Sequence, residues 1–484
     1  MLFNSYEFIF LFLPFTFLIY FYLLNQRLIT GAKGFLVFAS LFFYSWWNIA
    51  YLPIILSSML FNYVIGNSLN ENFSKVKISK KSLLSVGIIA NIALLGYFKY
   101  SDFFIENFNL AFDGSIPLLH LALPLAISFF TFQQIAYLVD SYRGETKEYD
   151  FLNYSLFVTF FPQLIAGPIV HHSEMMPQFA SKWNLVKRYK NIAAGMFIFS
   201  IGLFKKVVIA DAFAQWATSG FDVAEKLNLI EAWITSLSYT FQLYFDFSGY
   251  TDMAIGIALL FNIKLPINFN SPYKATDIQE FWRRWHITLS RFLKEYVYIP
   301  LGGNRGGSFR TYNNLIATFI IGGIWHGAGW TFVFWGFLHG VALVIHRFWQ
   351  TLGFKLPKIL AWFITFNFIN IAWIFFRAKE WEDAIKVLSS MFSLDYVVLP
   401  NALKSLTFLE SYGVEFGRFT NMLDRGKAIG FVIFAFILVL MFKNSMQKLQ
   451  ELEFNYKTTL FSSIIFIAGF LSLNKVSEFL YFNF

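Results

Sequence analysis

An all-α polytopic membrane protein is the fold class the sequence predicts, and three observations predict it. Of 484 residues, 57% are hydrophobic and only 14% are charged, where soluble domains carry about 25% charged residues. Apolar runs near the ~20 residues that cross a hydrocarbon core recur along the chain, and the mean hydropathy is +0.54. The bases cluster in short segments between those runs, as cytoplasmic loops do.

The first span is expected at 6–24. With no basic n-region and no small-residue cleavage site, it reads as a retained span rather than a signal peptide. Further spans are expected at 34–49, 50–66, 82–99, 120–139, 191–211 and 229–262. After them come 313–330, 331–349, 359–376, 428–443 and 458–474. Residues 152–170 are apolar too, but Pro162, Gly167 and Pro168 break the run, so a broken or re-entrant segment is expected. Lys75, Lys77, Lys80 and Lys81 follow the third span, and eight bases against three acids fill 264–310. These loops are placed in the cytoplasm. The acidic 100–119 loop (Asp102, Glu106, Asp113), the 377–427 loop and both termini are placed outside. Segment 263–312 is too polar to span and too aromatic to be a free loop. Phe281, Trp282, Trp285, Phe292, Tyr296 and Tyr298 alternate there with Arg283, Arg284, Arg291 and Lys294, which suits short amphipathic helices at the cytoplasmic interface. One integral-membrane domain over 1–484 is expected. No internal repeat supports an inverted-repeat transporter.

Composition also excludes. The net charge of +9 sits in loops between spans, not on a soluble basic module, so no nucleic acid is expected as partner. There is no cysteine, hence no thiolate catalysis. No metal-ligand spacing is found around His120, His171, His172 or Glu174. The stretch Gly302-Gly-Asn-Arg-Gly-Gly307 is not a P-loop, and no Gly-x-Ser-x-Gly elbow supports a serine hydrolase.

Chemistry is expected at intramembrane histidines, which are costly and mark functional sites by default. His326 lies in Gly322-Gly-Ile-Trp-His-Gly-Ala-Gly-Trp330; the bland alternative is a satisfied histidine at a Gly-rich helix crossing. His339 follows by thirteen residues. On one unbroken helix the two rings would face apart, about 220° around the axis; either the helix breaks at Gly327–Gly329 or only one ring is at the centre. His286 lies in Phe281-Trp-Arg-Arg-Trp-His286, beside arginines suited to phosphate, or simply within an interfacial aromatic belt. His346 beside Arg347 reads as a helix-end cation. Asp246 and Asp252, with Ser248 between them, fall on different helix faces, so a structural polar role is expected unless Gly249 breaks the helix. By composition, the terminal Phe479-Leu-Tyr-Phe-Asn-Phe484 is an aromatic anchor.

Six ordered segments together resemble the membrane-bound O-acyltransferase family, in its bacterial branch that modifies cell-surface polymers. They are Phe161-Pro-Gln-Leu-Ile-Ala-Gly-Pro168, Phe245–Asp252, Phe281–Ser290, Tyr298–Arg305, Gly323–His326 and Trp335–Gly340. They fill a motif-rich core from about 160 to 350. One departure is His171, where many relatives have Arg. The resemblance implies a ring of about 11–12 tilted transmembrane helices, with re-entrant and cytoplasmic interfacial helices, around a central tunnel. It implies His326 and His286 as the paired histidines, with His326 the general base and His286 positioning or polarising a thioester. A donor-contacting set of Trp282, Arg283, Arg284, Trp285, Arg291, Asn304, Arg305, Trp325 and His339 is expected, with the basic 283–310 region near the donor's phosphates.

The ending Phe479-x-Tyr481-x-x-Phe484 is similar to the family's terminal motif. That implies Tyr481 as an acyl relay. The implied donor is acetyl-CoA, with no permanently bound cofactor. The implied partners are membrane lipid, an extracytoplasmic serine esterase-like protein and a polysaccharide acceptor, at a bacterial cytoplasmic membrane. Having the Tyr motif on this chain favours acetyl over D-alanyl transfer, and an AT-rich composition favours peptidoglycan over alginate. A transporter or channel is the alternative of a different class.

Overall fold

The computed structural model describes residues 1–69, 79–146, 150–394, 397–401, 404–417, 426–473 and 480. Helices are numbered in chain order. A π-helical turn, Phe8–Phe12, leads into α1 (Leu13–Asn25). It is followed by α2 (Ile29–Ser45), α3 (Leu52–Leu69), α4 (Lys80–Phe112) and α5 (Ile127–Tyr142). The broken region contains α6 (Phe151–Thr159), α7 (Phe161–Leu164) and α8 (His172–Ala180). Then come α9 (Tyr189–Phe204), α10 (Asp211–Thr218) and α11 (Leu229–Leu260). The short α12 (Ile278–Arg284) and α13 (Ile287–Leu293) precede α14 (Gly307–His326), α15 (Trp330–Leu352) and α16 (Lys358–Arg377). Last are α17 (Trp381–Phe392), α18 (Lys427–Met441), α19 (Ser445–Gln450) and α20 (Tyr456–Leu471). Each expected span overlaps one of these helices. Six helical stretches among the described residues are long and apolar enough to cross a membrane.

The 152–170 stretch is broken as its prolines and glycine dictate. At Phe160 the chain leaves the helix, and Phe157, Phe160 and Phe161 are fully buried. The break frees the Phe157 carbonyl, which accepts from Gln133 Nε2 at 2.8 Å and Gln163 Nε2 at 2.7 Å. Side-chain amides thus supply what water cannot at membrane depth. By contrast, α11 runs through Gly249 without a break. That glycine instead lets two backbones touch: a Cβ there would meet the Gly202 carbonyl at 2.8 Å, and one at Gly256 the Gly195 carbonyl at 2.7 Å. Small residues at such crossings are how helices pack closely in lipid.

Two regions hold more structure than the sequence pattern implies. The 377–427 stretch, expected to be an outer loop, contains α17 and a parallel strand pair, β1 (Val397–Pro400) with β2 (Val414–Gly417). The Val-Val-Leu run suits a strand. In 263–312, α12 and α13 are amphipathic as expected, but their apolar faces (Phe281, Trp285, Leu289, Phe292) are buried within the protein, not laid on lipid.

Candidate active site

The hairpin of α14 and α15 settles the question left open by His326 and His339. The helix ends at His326, and Gly327 and Gly329 are extended, with φ of −162° and −168°. The chain then folds back. Added Cβ atoms at Gly323, Gly336 and Gly340 would strike the facing helix: the Phe332 and Phe319 carbonyls, both at 2.3 Å, and Ile316 Cα at 2.8 Å. His339 therefore returns alongside α14 instead of pointing away along one long rod. Trp335 bridges the two imidazoles, with ring centroids 5.2 Å from His326 and 4.8 Å from His339. Phe376 and Trp325 complete the wall around His326, at 4.9 and 4.8 Å. Only 4% of His326 is exposed.

His286 occupies the turn between α12 and α13 in a left-handed conformation, φ +40°. It is fully buried, edge-on to Phe247 at 4.7 Å and 6.4 Å from the Trp325 ring. Its Nδ1 is 3.1 Å from Asn268 Oδ1, which also accepts from the Thr288 backbone N–H at 3.2 Å and hydroxyl at 2.9 Å. Those donors identify the amide oxygen, so Nδ1 carries the proton and Nε2 the lone pair. Burial pushes the His286 imidazole down to about 3, which keeps it neutral at neutral pH. A neutral ring with its N–H committed to Asn268 offers an acceptor at Nε2. His286, His339 and Lys99 all lie within electrostatic reach of His326.

On the other side of Trp282 lies a cleft of about 790 Å³. Of the expected donor-contacting residues, it is lined by Trp282, Arg283 and Asn304. The Trp282 indole N–H donates to His339 Nδ1 at 3.2 Å, so the cleft's aromatic wall touches the histidine group directly. Trp325 and His339 belong to that inner group. The other expected contacts are engaged elsewhere. Arg291 grips Glu174 with both terminal nitrogens and reaches the Ile169 carbonyl, holding the turn after α7. Arg284 bonds Glu280 and the Asn270 carbonyl. Trp285 is packed between Phe269 and Trp373, 5.1 and 5.0 Å away, and Arg305 is exposed outside the lining.

The cleft also takes Lys294, from the basic 263–312 segment, and two residues expected only as a helix-end cation pair, His346 and Arg347. The helix-end cation pair thus faces a cavity, and Arg347 Nη1 lies 3.4 Å from Asn304 Oδ1. His171 hydrogen-bonds Tyr296 at 3.0 Å and lies 3.5 Å from Asp140.

Asp246 and Asp252, expected to be structural polar residues, both stand in buried ion pairs. Asp252 pairs with Lys205 at 2.8 Å. Asp246 meets Lys206 at 2.6 Å, and Lys206 also meets Asp211 at 3.0 Å. Lys205–Ala210 form a π-helical stretch between α9 and α10. Such insertions recur at functional sites, and here both consecutive ammonium groups meet carboxylates. Ser248 bonds back to the Tyr244 carbonyl. The Leu480 backbone N–H donates to Asp246 Oδ2 at 3.2 Å, so residue 480 lies beside the middle of α11. Tyr481 lies outside the described residues.

The family model for membrane-bound O-acyltransferases matches residues 141–379. The peptidoglycan O-acetyltransferase of Helicobacter pylori is 52% identical over 100% of this chain and 98% of its own length. The chain belongs to the membrane-bound O-acyltransferase family. The probable alginate O-acetylase of Pseudomonas aeruginosa is 40% identical over 81% of this chain and 75% of its own. The teichoic acid D-alanyltransferase of Bacillus subtilis is 27% identical over 53% of this chain and 69% of its own. As a member of this family the protein is a multi-pass membrane acyltransferase. The matched region holds both the histidine group and the cleft.

Proposed function

We propose that the protein moves an acetyl group from acetyl-CoA across the bacterial cytoplasmic membrane, by way of Tyr481, for O-acetylation of peptidoglycan. The observation that carries the chemistry is the α14–α15 hairpin. It gathers His326, His339 and the neighbouring His286 behind a cleft whose lining includes Arg283, Lys294 and Arg347. Those cations suit the phosphates of the donor. Support for the polymer is the 52% identity to a peptidoglycan O-acetyltransferase, against 40% to an alginate O-acetylase and 27% to a D-alanyltransferase.

In the proposed step His326 removes the phenolic proton of Tyr481 and the phenolate attacks the thioester carbonyl. The C–S bond breaks, an aryl ester forms, and the departing thiolate takes the proton from His326. His286, with its lone pair at Nε2, acts as an acceptor that orients the neighbouring proton carriers. A phenol has a pKa near 10, so its ester is more readily attacked than an alkyl ester, as a relay requires. The tie between Leu480 and Asp246 supports a tail that reaches the interior of the bundle. An extracytoplasmic serine esterase-like partner then takes the acetyl group to the glycan. The loops bearing the bases lie in the cytoplasm and both termini outside.

Reconstituted protein given acetyl-CoA labelled in the acetyl group is expected to acquire a hydroxylamine-labile label at Tyr481. Tyr481→Phe should lose the label while folding normally, and His326→Ala should stop thioester consumption. A fully labelled Tyr481→Phe protein removes the relay, and undiminished consumption by His326→Ala removes the base.

A further inference from the structure

An α-helix leaves its last four carbonyls without intrahelical partners. In α14 these belong to Gly323, Ile324, Trp325 and His326. Two consecutive side chains of α4 meet three of them. The Tyr100 hydroxyl donates to the Ile324 carbonyl at 2.5 Å. Lys99 Nζ donates to the Trp325 carbonyl at 2.6 Å and the His326 carbonyl at 3.0 Å, with Ser128 Oγ at 3.4 Å. The geometry of the two helices makes this meeting possible. Lys99 lies about 28 Å along α4 from Lys80, and His326 about 28 Å along α14 from Gly307, at 1.5 Å per residue. Both helices start from the basic side.

A lone ammonium within an apolar span is costly. Here it meets the negative end of a helix dipole, the place where a cation is stabilising. The helix in question ends on His326 itself, and the chain beyond is Gly327-Ala-Gly329. With no side chain at either glycine, the end of α14 is held by the packing of the hairpin on one side and by α4 on the other.

We infer that Lys99 is a positioning residue for acyl transfer, clamping the last carbonyls of α14 so that the His326 ring is held in its reactive orientation. The inference rests on His326 acting as the base. Lys99 is absent from the lining of the cleft, so it acts on the chemical step and not on donor binding.

The test is a split between kcat and KM in reconstituted full-length protein, with acetyl-CoA as donor. Lys99→Met is expected to lower kcat at least tenfold with KM for acetyl-CoA within twofold of wild type. Lys99→Arg, which keeps a charged donor, should restore at least a third of kcat. An unchanged kcat overturns the inference. So does a rise in KM with kcat intact, which would make Lys99 a donor-binding group. If Lys99→Met yields no folded protein, Lys99→Gln carries the test, since it keeps a neutral donor at the same place. A threefold or greater loss of kcat at constant KM is then expected, and wild-type kcat refutes the clamp. A wild-type protein that consumes no acetyl-CoA would instead refute the proposed function, so the two failures are distinct.

Discussion

Replacing Lys206 by Met tests whether the buried ion network is needed for the fold and for the tail. The ammonium lies 2.6 Å from Asp246 and 3.0 Å from Asp211, and the three side chains are 3%, 1% and 6% exposed. Met fills much of the volume and removes only the charge. Two carboxylates are then left in a site that excludes water. Removing one partner of a buried pair costs about 3–5 kcal/mol, and two orphaned acids place this variant at the upper end. Asp246→Asn is milder. Lys206 keeps Asp211, and the amide oxygen can still accept from Leu480, so a loss of about 1–3 kcal/mol is expected, the range for one altered buried hydrogen bond. The double variant Lys206→Met with Asp246→Asn should be more stable than Lys206→Met alone, because one of the two orphaned charges is gone. Unfolding of the purified protein in mixed detergent, followed by tryptophan fluorescence, gives all three values. A cost below about 1 kcal/mol for Lys206→Met, or a double variant no better than the single, refutes the reasoning. A further arm reads the tail. Asp246→Leu removes the acceptor for the Leu480 N–H, and acetylation of Tyr481 should fall about tenfold or more, as expected for a hydrogen bond to a charged group.

Arg347→Ala should raise KM for acetyl-CoA by on the order of tenfold, the lower end of a charge-assisted contact, with kcat little changed; equal KM values would take Arg347 out of donor binding. Glu174 is half-exposed, and burial would raise its carboxyl, but the hydrogen bonds from Arg291 and the His171 backbone outweigh that and hold it below 4.5. A depressed carboxyl contributes stability above its unfolded value, and that contribution fades as pH falls through the folded one. Melting curves of wild type and Glu174→Gln should therefore differ most above pH 4.5 and converge below it; a constant difference across that range rejects the pairing. Trp282→Ala opens the wall between the cleft and His339, so use of propionyl-CoA relative to acetyl-CoA should rise about fourfold, the worth of one buried methylene at ~0.8 kcal/mol. An unchanged ratio of kcat/KM values would separate Trp282 from acyl selection.

The helices were legible because an apolar run of span length has one good solution in lipid. The break near 160 was legible because Pro162 and Gly167 leave no other. What a linear reading could not supply is which charge finds which. Lys205 and Lys206 sit in a run that hydropathy reads simply as a span, 47 residues before Asp252 and 40 before Asp246. Their presence beside two acids in another apolar helix was the available signal. Arg291 looked suited to phosphate, yet Glu174, 117 residues earlier, holds both its terminal nitrogens. Lys294 and Arg347 joined the cleft because a helix turn and a hairpin aim them there, which residue type alone does not reveal. For His326 and His339 the sequence narrowed the choice to a broken helix or a divided pair, and only the packing of Gly323, Gly336 and Gly340 decided between them.

A common physical thread runs through the places where this chain departs from regular helix. Phe160, His286 and Gly327–Gly329 interrupt the backbone among buried residues, and the Leu480 N–H meets Asp246 on α11. Non-helical backbone at membrane depth is tolerated only where protein or a cavity surrounds it. Each interruption here has such cover: the amides of Gln133 and Gln163 at the Phe157 carbonyl, Asn268 at His286, Lys99 and Tyr100 at the end of α14, Asp246 at Leu480. The polar side chains that look misplaced in an apolar sequence are the ones that make those breaks tolerable. The breaks in turn bring imidazoles from separate segments to one place, which unbroken helices running across the bilayer would keep apart.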